Sequence, residues 1–132
     1  MGEMAQQIIS GAPVVDRKST FQAHVAPVRG AEDVEAFMEV LLRNRKIAAA
    51  THNILAYRIA TDTGWLQDHD EDGETAAGGR LLHLLQVTGA EQVAVCVTRW
   101  YGGVKLGPDR FRIINNTARN MLEHLGYIGE GK

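Results

Sequence analysis

Val93-Ala94-Val95-Cys96-Val97-Thr98-Arg99-Trp100-Tyr101-Gly102-Gly103-Val104-Lys105-Leu106-Gly107-Pro108-Asp109-Arg110 holds a strand, a glycine-rich turn and a helix start in one run. Val93, Val95 and Val97 alternate with Ala94, Cys96 and Thr98. Apolar residues at both parities predict a strand buried on both faces, and therefore central in a sheet. Cys96 lies in its middle, where a thiol behaves as a small apolar residue and its nucleophilic form is disfavoured. Downstream, Pro108 and Asp109 suit the first turn of a helix, which favours a preset φ and a negative charge. Phe111, Ile114, Ala118, Met121, Leu122 and Leu125 give that helix its inward stripe, and Gly126 ends it.

Outward from this core, Phe21, Ala23 and Val25 alternate with Gln22 and His24 up to Pro27. That pattern predicts a half-buried strand with His24 solvated on its polar side. Val34, Phe37, Met38, Leu41 and Leu42 recur at helical spacing. Glu32 and Asp33 start that helix, and Arg43, Arg45 and Lys46 close it, each complementing the helix dipole. Residues 53–61 predict a second strand, with Leu55, Tyr57 and Ile59 on one face. Its other face carries Ile54, Ala56, Arg58 and Ala60, small enough for close packing, with Arg58 in need of a partner. Residues 62–73 read as an acidic turn anchored by Trp65 and Leu66. Residues 77–87 read as a short helix with Leu81, Leu82, Leu84 and Leu85 inward, its start weakened by Gly78 and Gly79. Residues 1–12 fit a tail or an edge strand, because Pro13 is tolerated only at such places in a sheet.

The expected fold is α+β, with about four strands and three helices, the helices covering one face of a mostly antiparallel or mixed sheet. One domain spans residues 13–128, and 129–132 form a C-terminal tail. A net charge of −2 argues against a general polyanion binder but allows a local basic patch. A single cysteine excludes an intrachain disulfide and suits a reducing compartment. No run is long and apolar enough to span a bilayer, and the N-terminus lacks the features of a secretory signal; the reading is cytoplasmic.

No catalytic constellation emerges. Ser10 and Ser19 do not sit in a nucleophile elbow, and the five histidines show no ligand spacing, so neither a hydrolase nor a metal site is expected. Asp68-His69-Asp70-Glu71-Asp72-Gly73 matches half of a calcium loop, but Gly79 stands where a bidentate Glu belongs. Gly102 to Gly107 has phosphate-loop spacing, yet Pro108 removes a donor and Asp109 repels an anion. Two readings of the cations remain open. Arg99, Lys105 and Arg110, with Arg80, could line a patch for phosphate groups of RNA, with Trp100 and Tyr101 stacking on bases. Alternatively they pair with Asp70, Glu71, Asp72 and Glu74, holding two glycine-rich turns together.

Those two turns carry a resemblance. Glu71-Asp72-Gly73-Glu74-Thr75-Ala76-Ala77-Gly78-Gly79-Arg80 and Thr98-Arg99-Trp100-Tyr101-Gly102-Gly103, with Lys105-Leu106-Gly107-Pro108-Asp109-Arg110-Phe111, resemble the signature of the IMPACT family. Asp16 to His24, Thr51-His52-Asn53 and Ala56-Tyr57-Arg58 extend the match, which is to the eukaryotic branch. The resemblance implies a non-enzymatic regulator of translation without a cofactor. Such proteins restrain the general-control kinase of initiation factor two alpha during amino-acid starvation, by competing for the kinase's ribosome-associated activator; actin is a further partner. It also implies a two-layer αβ sandwich like the second domain of ribosomal small-subunit protein five, and by association an RNA or ribosome contact. In the eukaryotic family an RWD domain, which makes the main contact with the kinase activator, precedes this one, and the chain begins too close to Ser19 to hold it. An excised fragment and a stand-alone version both fit.

Overall fold

A computed structural model describes residues 2–129. Along the chain the elements are α1 (Gly2–Gln7), β1 (Ile9–Ser10), β2 (Val14–Asp16), β3 (Ser19–Pro27), α2 (Ala31–Arg43) and α3 (Arg45–Ala48). They continue with β4 (His52–Thr61), β5 (Gly64–Asp70), α4 (Ala77–Thr88), β6 (Val93–Trp100) and α5 (Asp109–His124). The strands form one sheet in the order β1-β3-β6-β4-β5, with β2 also paired to β3. Every pairing is antiparallel.

β6 is central, as its two-sided apolar pattern requires. Val93, Val95 and Val97 face one core with Phe21, Ala23, Val25, Ile54 and Ala56. Leu81 and Leu85 of α4, and Ile114, Ala118 and Leu122 of α5, close that core. The small side chains of β4 let α4 lie close, and Arg58 finds its partners in the Ala90 carbonyl at 3.0 Å and the Trp65 ring at 3.7 Å. Ala94 and Cys96 face the opposite way, into a second core with Leu55, Ile59, Phe37, Leu41 and Met4. Burial pushes the Cys96 thiol up to about 12, so it stays protonated.

The architecture is mixed αβ, but it departs from expectation in several places. Among the described residues there are six strands and five helices, not about four and three. The helices also cover both faces, because β3, β4 and β6 each present apolar residues on both sides and neither face can be left to water. Part of residues 1–12 is a short helix, anchored by the buried Met4, followed by the two-residue edge strand β1. Residues 130–132 of the expected tail lie outside the described residues.

The acidic segment 62–73 is mainly not a turn: β5 occupies Gly64–Asp70 and pairs with β4 along its length. Trp65 is still 47% exposed there. The basic residues after α2 are split, since Asn44 ends that helix and caps the next, its Oδ1 accepting from Lys46 N at 2.9 Å and Ile47 N at 3.2 Å. Leu42 faces outward. His24 is not solvated at all but 1% exposed: it lies on the same face of β3 as Ala26, which α1 and α2 cover, and Ser10 of the adjacent β1 bonds its ring.

Candidate binding site

Glu74 organises the end of the sheet where the two glycine-rich turns meet. Its side chain is buried, with Oε2 accepting from Arg99 Nη1 at 2.6 Å and Oε1 from Arg110 Nε at 2.8 Å. Arg99 comes from the end of β6 and is 5% exposed; Arg110 comes from the first turn of α5. One carboxylate therefore ties a strand, a helix and the turn before α4 together. Of the four acidic residues named as partners for these cations, Glu74 alone has a described ion pair with them. Asp72 serves the backbone instead: its Oδ2 accepts from Asn53 N at 2.7 Å, and its carbonyl accepts from His52 Nδ1 at 2.9 Å. That second bond places a proton on Nδ1, since a carbonyl only accepts. Glu71 contributes its carbonyl to Glu74 N at 2.9 Å.

The glycines have separate reasons. A Cβ on Gly102 would stand 1.8 Å from the Lys18 carbonyl oxygen, so the β2–β3 turn can lie against this loop only if residue 102 has no side chain. A Cβ on Gly78 would meet His69 Nδ1 at 2.7 Å and Glu71 Cγ at 2.9 Å. Gly73, Gly103 and Gly107 take φ of +84°, +93° and +58°, the left-handed region that glycine enters at no steric cost. Tyr101 N donates to Thr51 Oγ1 at 2.9 Å and Gly102 N to Ser19 Oγ at 3.3 Å, which fixes the loop as it leaves the sheet. Leu106 is buried and pins its far side.

Between these parts lies a groove of about 410 Å³, lined by Thr51, His52, Arg99, Tyr101, Lys105, Leu106, Gly107 and Arg110. The structure thus brings together Arg99, Tyr101, Lys105 and Arg110 of the expected site. It does not bring in the other two. Trp100 projects to the opposite face, half-buried in the second core, with Nε1 donating to the Lys46 carbonyl at 3.0 Å and Lys46 Nζ over its ring. Arg80 lies on α4 and stacks on Phe111, its Cζ 4.2 Å from the ring centroid, beside a separate hollow with His69 and His83. Arg110 lies 4.3 Å from the same ring. Thr51 and His52 join the groove although only their part in the extended motif singled them out; the register His52↔Arg99 puts them there.

A chain of polar side chains crosses the second face of the sheet, and sequence patterning gives no sign of it. Ser10 Oγ meets His24 Nδ1 at 2.7 Å, and His24 Nε2 meets Thr98 Oγ1 at 3.1 Å. Thr98 Oγ1 donates to Asn53 Oδ1 at 2.7 Å, and Asn53 Nδ2 donates to the Ile47 carbonyl at 2.9 Å. With the Thr98 proton committed, its oxygen accepts from His24 Nε2, so Nδ1 accepts from the Ser10 hydroxyl. Burial pushes His24 down to about 4. A base that weak activates a serine poorly near neutral pH, and no carboxylate orients the ring among the described hydrogen bonds. The pair is a structural contact. Among the described residues no cluster of histidine, cysteine and carboxylate side chains could hold a metal ion, and no helix is long and apolar enough to cross a membrane.

Residues 17–122 match the family of the Impact N-terminal domain. Over 117 residues the chain is 57% identical to Protein IMPACT of Rattus norvegicus, covering 87% of this chain and 37% of that protein. It is 56% identical over 119 residues to Protein IMPACT of Homo sapiens, covering 89% and 37%. It is 53% identical over 127 residues to Protein IMPACT-A of Xenopus tropicalis, covering 95% and 40%. The chain thus spans well under half the length of these relatives. Among solved structures, the two-domain translational regulator Yih1 superposes with a TM-score of 0.66 at 41% identity, over 90% of this chain and 47% of that one. A hypothetical protein superposes with a TM-score of 0.72 at 28% identity, over 89% of this chain and 60% of that one.

Proposed function

The chain belongs to the IMPACT family, and from that premise we propose that it is a non-enzymatic regulator of translation that acts by binding proteins. In this reading it restrains the general-control kinase of initiation factor two alpha by competing for the kinase's activator, in the cytoplasm, with actin as a further partner. The observation that carries it is the likeness to the translational regulator Yih1, 41% identical over 90% of this chain. The groove end of the sheet is the contact surface in this reading. Its Lys105 is exposed and Tyr101 is 45% exposed, whereas Arg99 is spent largely on Glu74.

A kinase assay tests the proposal. The activator stimulates phosphorylation of initiation factor two alpha, and the chain added in excess is expected to lower that stimulation without affecting the unstimulated kinase. Full stimulation at saturating chain would refute it. The same exposed Tyr101 and Lys105 favour a second reading, an RNA- or ribosome-binding module. It requires affinity for RNA that falls steeply with salt, since phosphate contacts release counterions.

A further inference from the structure

We propose that the groove receives an acidic side chain of a partner peptide, with a large apolar neighbour of that side chain resting on Tyr101. The inference rests on the reading that the chain works by binding proteins, and it names the chemistry the partner must present.

The charges around the groove do not balance. Arg99, Lys105 and Arg110 all line it, and no carboxylate does. Glu74, behind the wall, is shared by Arg99 and Arg110 and neutralises one of them. Lys105 is exposed and has no ion pair among the described residues. Two positive charges are therefore left facing a concave surface. Arg99 is held by Glu74 through Nη1, so Lys105 is the freest of the three cations.

The rest of the lining is not polar enough for a free ion. Leu106 and the Tyr101 ring form much of the wall, and Arg99 lies 5.6 Å from the Tyr101 centroid, backing the ring. A volume of about 410 Å³ is at the small end of ligand pockets, which suits one or two side chains.

A nucleic-acid strand fits less well. It brings one negative charge per nucleotide, and beyond His52 it would run against Asp72, whose carbonyl holds that histidine. One carboxylate between apolar neighbours matches the excess charge without meeting that repulsion.

Random peptides displayed on phage, selected on the folded chain, test the proposal. The expected result is enrichment of Asp or Glu next to Leu, Phe or Tyr. Lys105→Glu removes no described bond, so the variant should keep its melting temperature and lose the acidic enrichment. A selected peptide made with Asn or Gln for its acid should bind at least about tenfold more weakly, a free-energy change near that of one charged contact. Selected peptides without acidic residues, or enrichment indifferent to Lys105→Glu, would overturn it. So would a decauridylate that displaces the peptides and binds more tightly as salt is lowered. A chain that lowers kinase stimulation yet shows no acidic selection would refute this inference alone. Acidic selection without any effect on the kinase would refute the regulatory reading alone.

Discussion

Glu74 is the residue on which this end of the molecule depends. Removing one partner of a buried ion pair leaves an uncompensated charge and costs about 3–5 kcal/mol. Glu74→Ala, which strands Arg99 at 5% exposure, should lose stability of that order in urea unfolding; a loss below about 1 kcal/mol would mean that Arg99 is solvated. His24 gives a pH signature. Its folded pKa of about 4 lies below the usual 6.5, so the neutral form stabilises the fold fully above pH 6.5 and progressively less as the pH falls towards 4. About 3 kcal/mol should disappear across that window in wild type and much less in His24→Gln. Equal acid sensitivity in both proteins would contradict the burial of the ring. These two residues also show where reading the sequence stops. Glu74 was one of four carboxylates set against the same cations, and nothing in the chain's periodicity separates it from Asp70, Glu71 or Asp72. His24 sits in an alternating strand that looks half-solvated, and nothing in that local pattern shows that α1 and α2 cover its face or that β1 flanks it.

At the scale of elements, β6 and α5 were legible because their patterns are long and their ends are marked, as at Gly126. α4 was legible for its leucines. β5 was not, because it is an edge strand whose Asp68 and Asp70 share the face of Leu66 yet stay exposed, so no apolar alternation marks it. The β2–β3 hairpin was missed for a different reason. Arg17 and Lys18 take φ of 43° and 75°, as the tight turn requires, where glycine or asparagine is the usual signal. Arg17 is held there by ion pairs to Asp16 and Asp109, and Arg112 with Arg17 keeps the Asp109 carboxyl below the ordinary carboxylate range. The start of α4 holds another such residue: Ala76 caps the helix at φ 71°, a conformation that costs an L-residue about 1–2 kcal/mol. Ala76→Gly should therefore raise the melting temperature by several degrees. An unchanged or lower value would mean that the methyl group packs well enough to offset the strain.

Among the described residues there is a single antiparallel sheet covered on both faces, with a concave charged groove at one end where Glu74 ties Arg99 and Arg110. That tie limits which residues are free to recognise anything. Arg99 and Arg110 are engaged with Glu74, and Trp100 belongs to the second core. Lys105 and Tyr101 are the exposed pair, so recognition and folding can be separated by substitution. Gly102→Ala supplies the opposite case, since its methyl group would clash with the Lys18 backbone and should disturb fold and binding together. The sequence resemblance singled out this region but could not divide it, because anchoring and exposed cations look alike until the fold assigns their partners. The most direct test of the account is the affinity of the chain for the kinase activator, measured by calorimetry for wild type and for Lys105→Glu at matched stability. A loss of at least about tenfold with an unchanged melting temperature is predicted. Equal affinities would place the contact elsewhere on the molecule and contradict the role assigned to the groove.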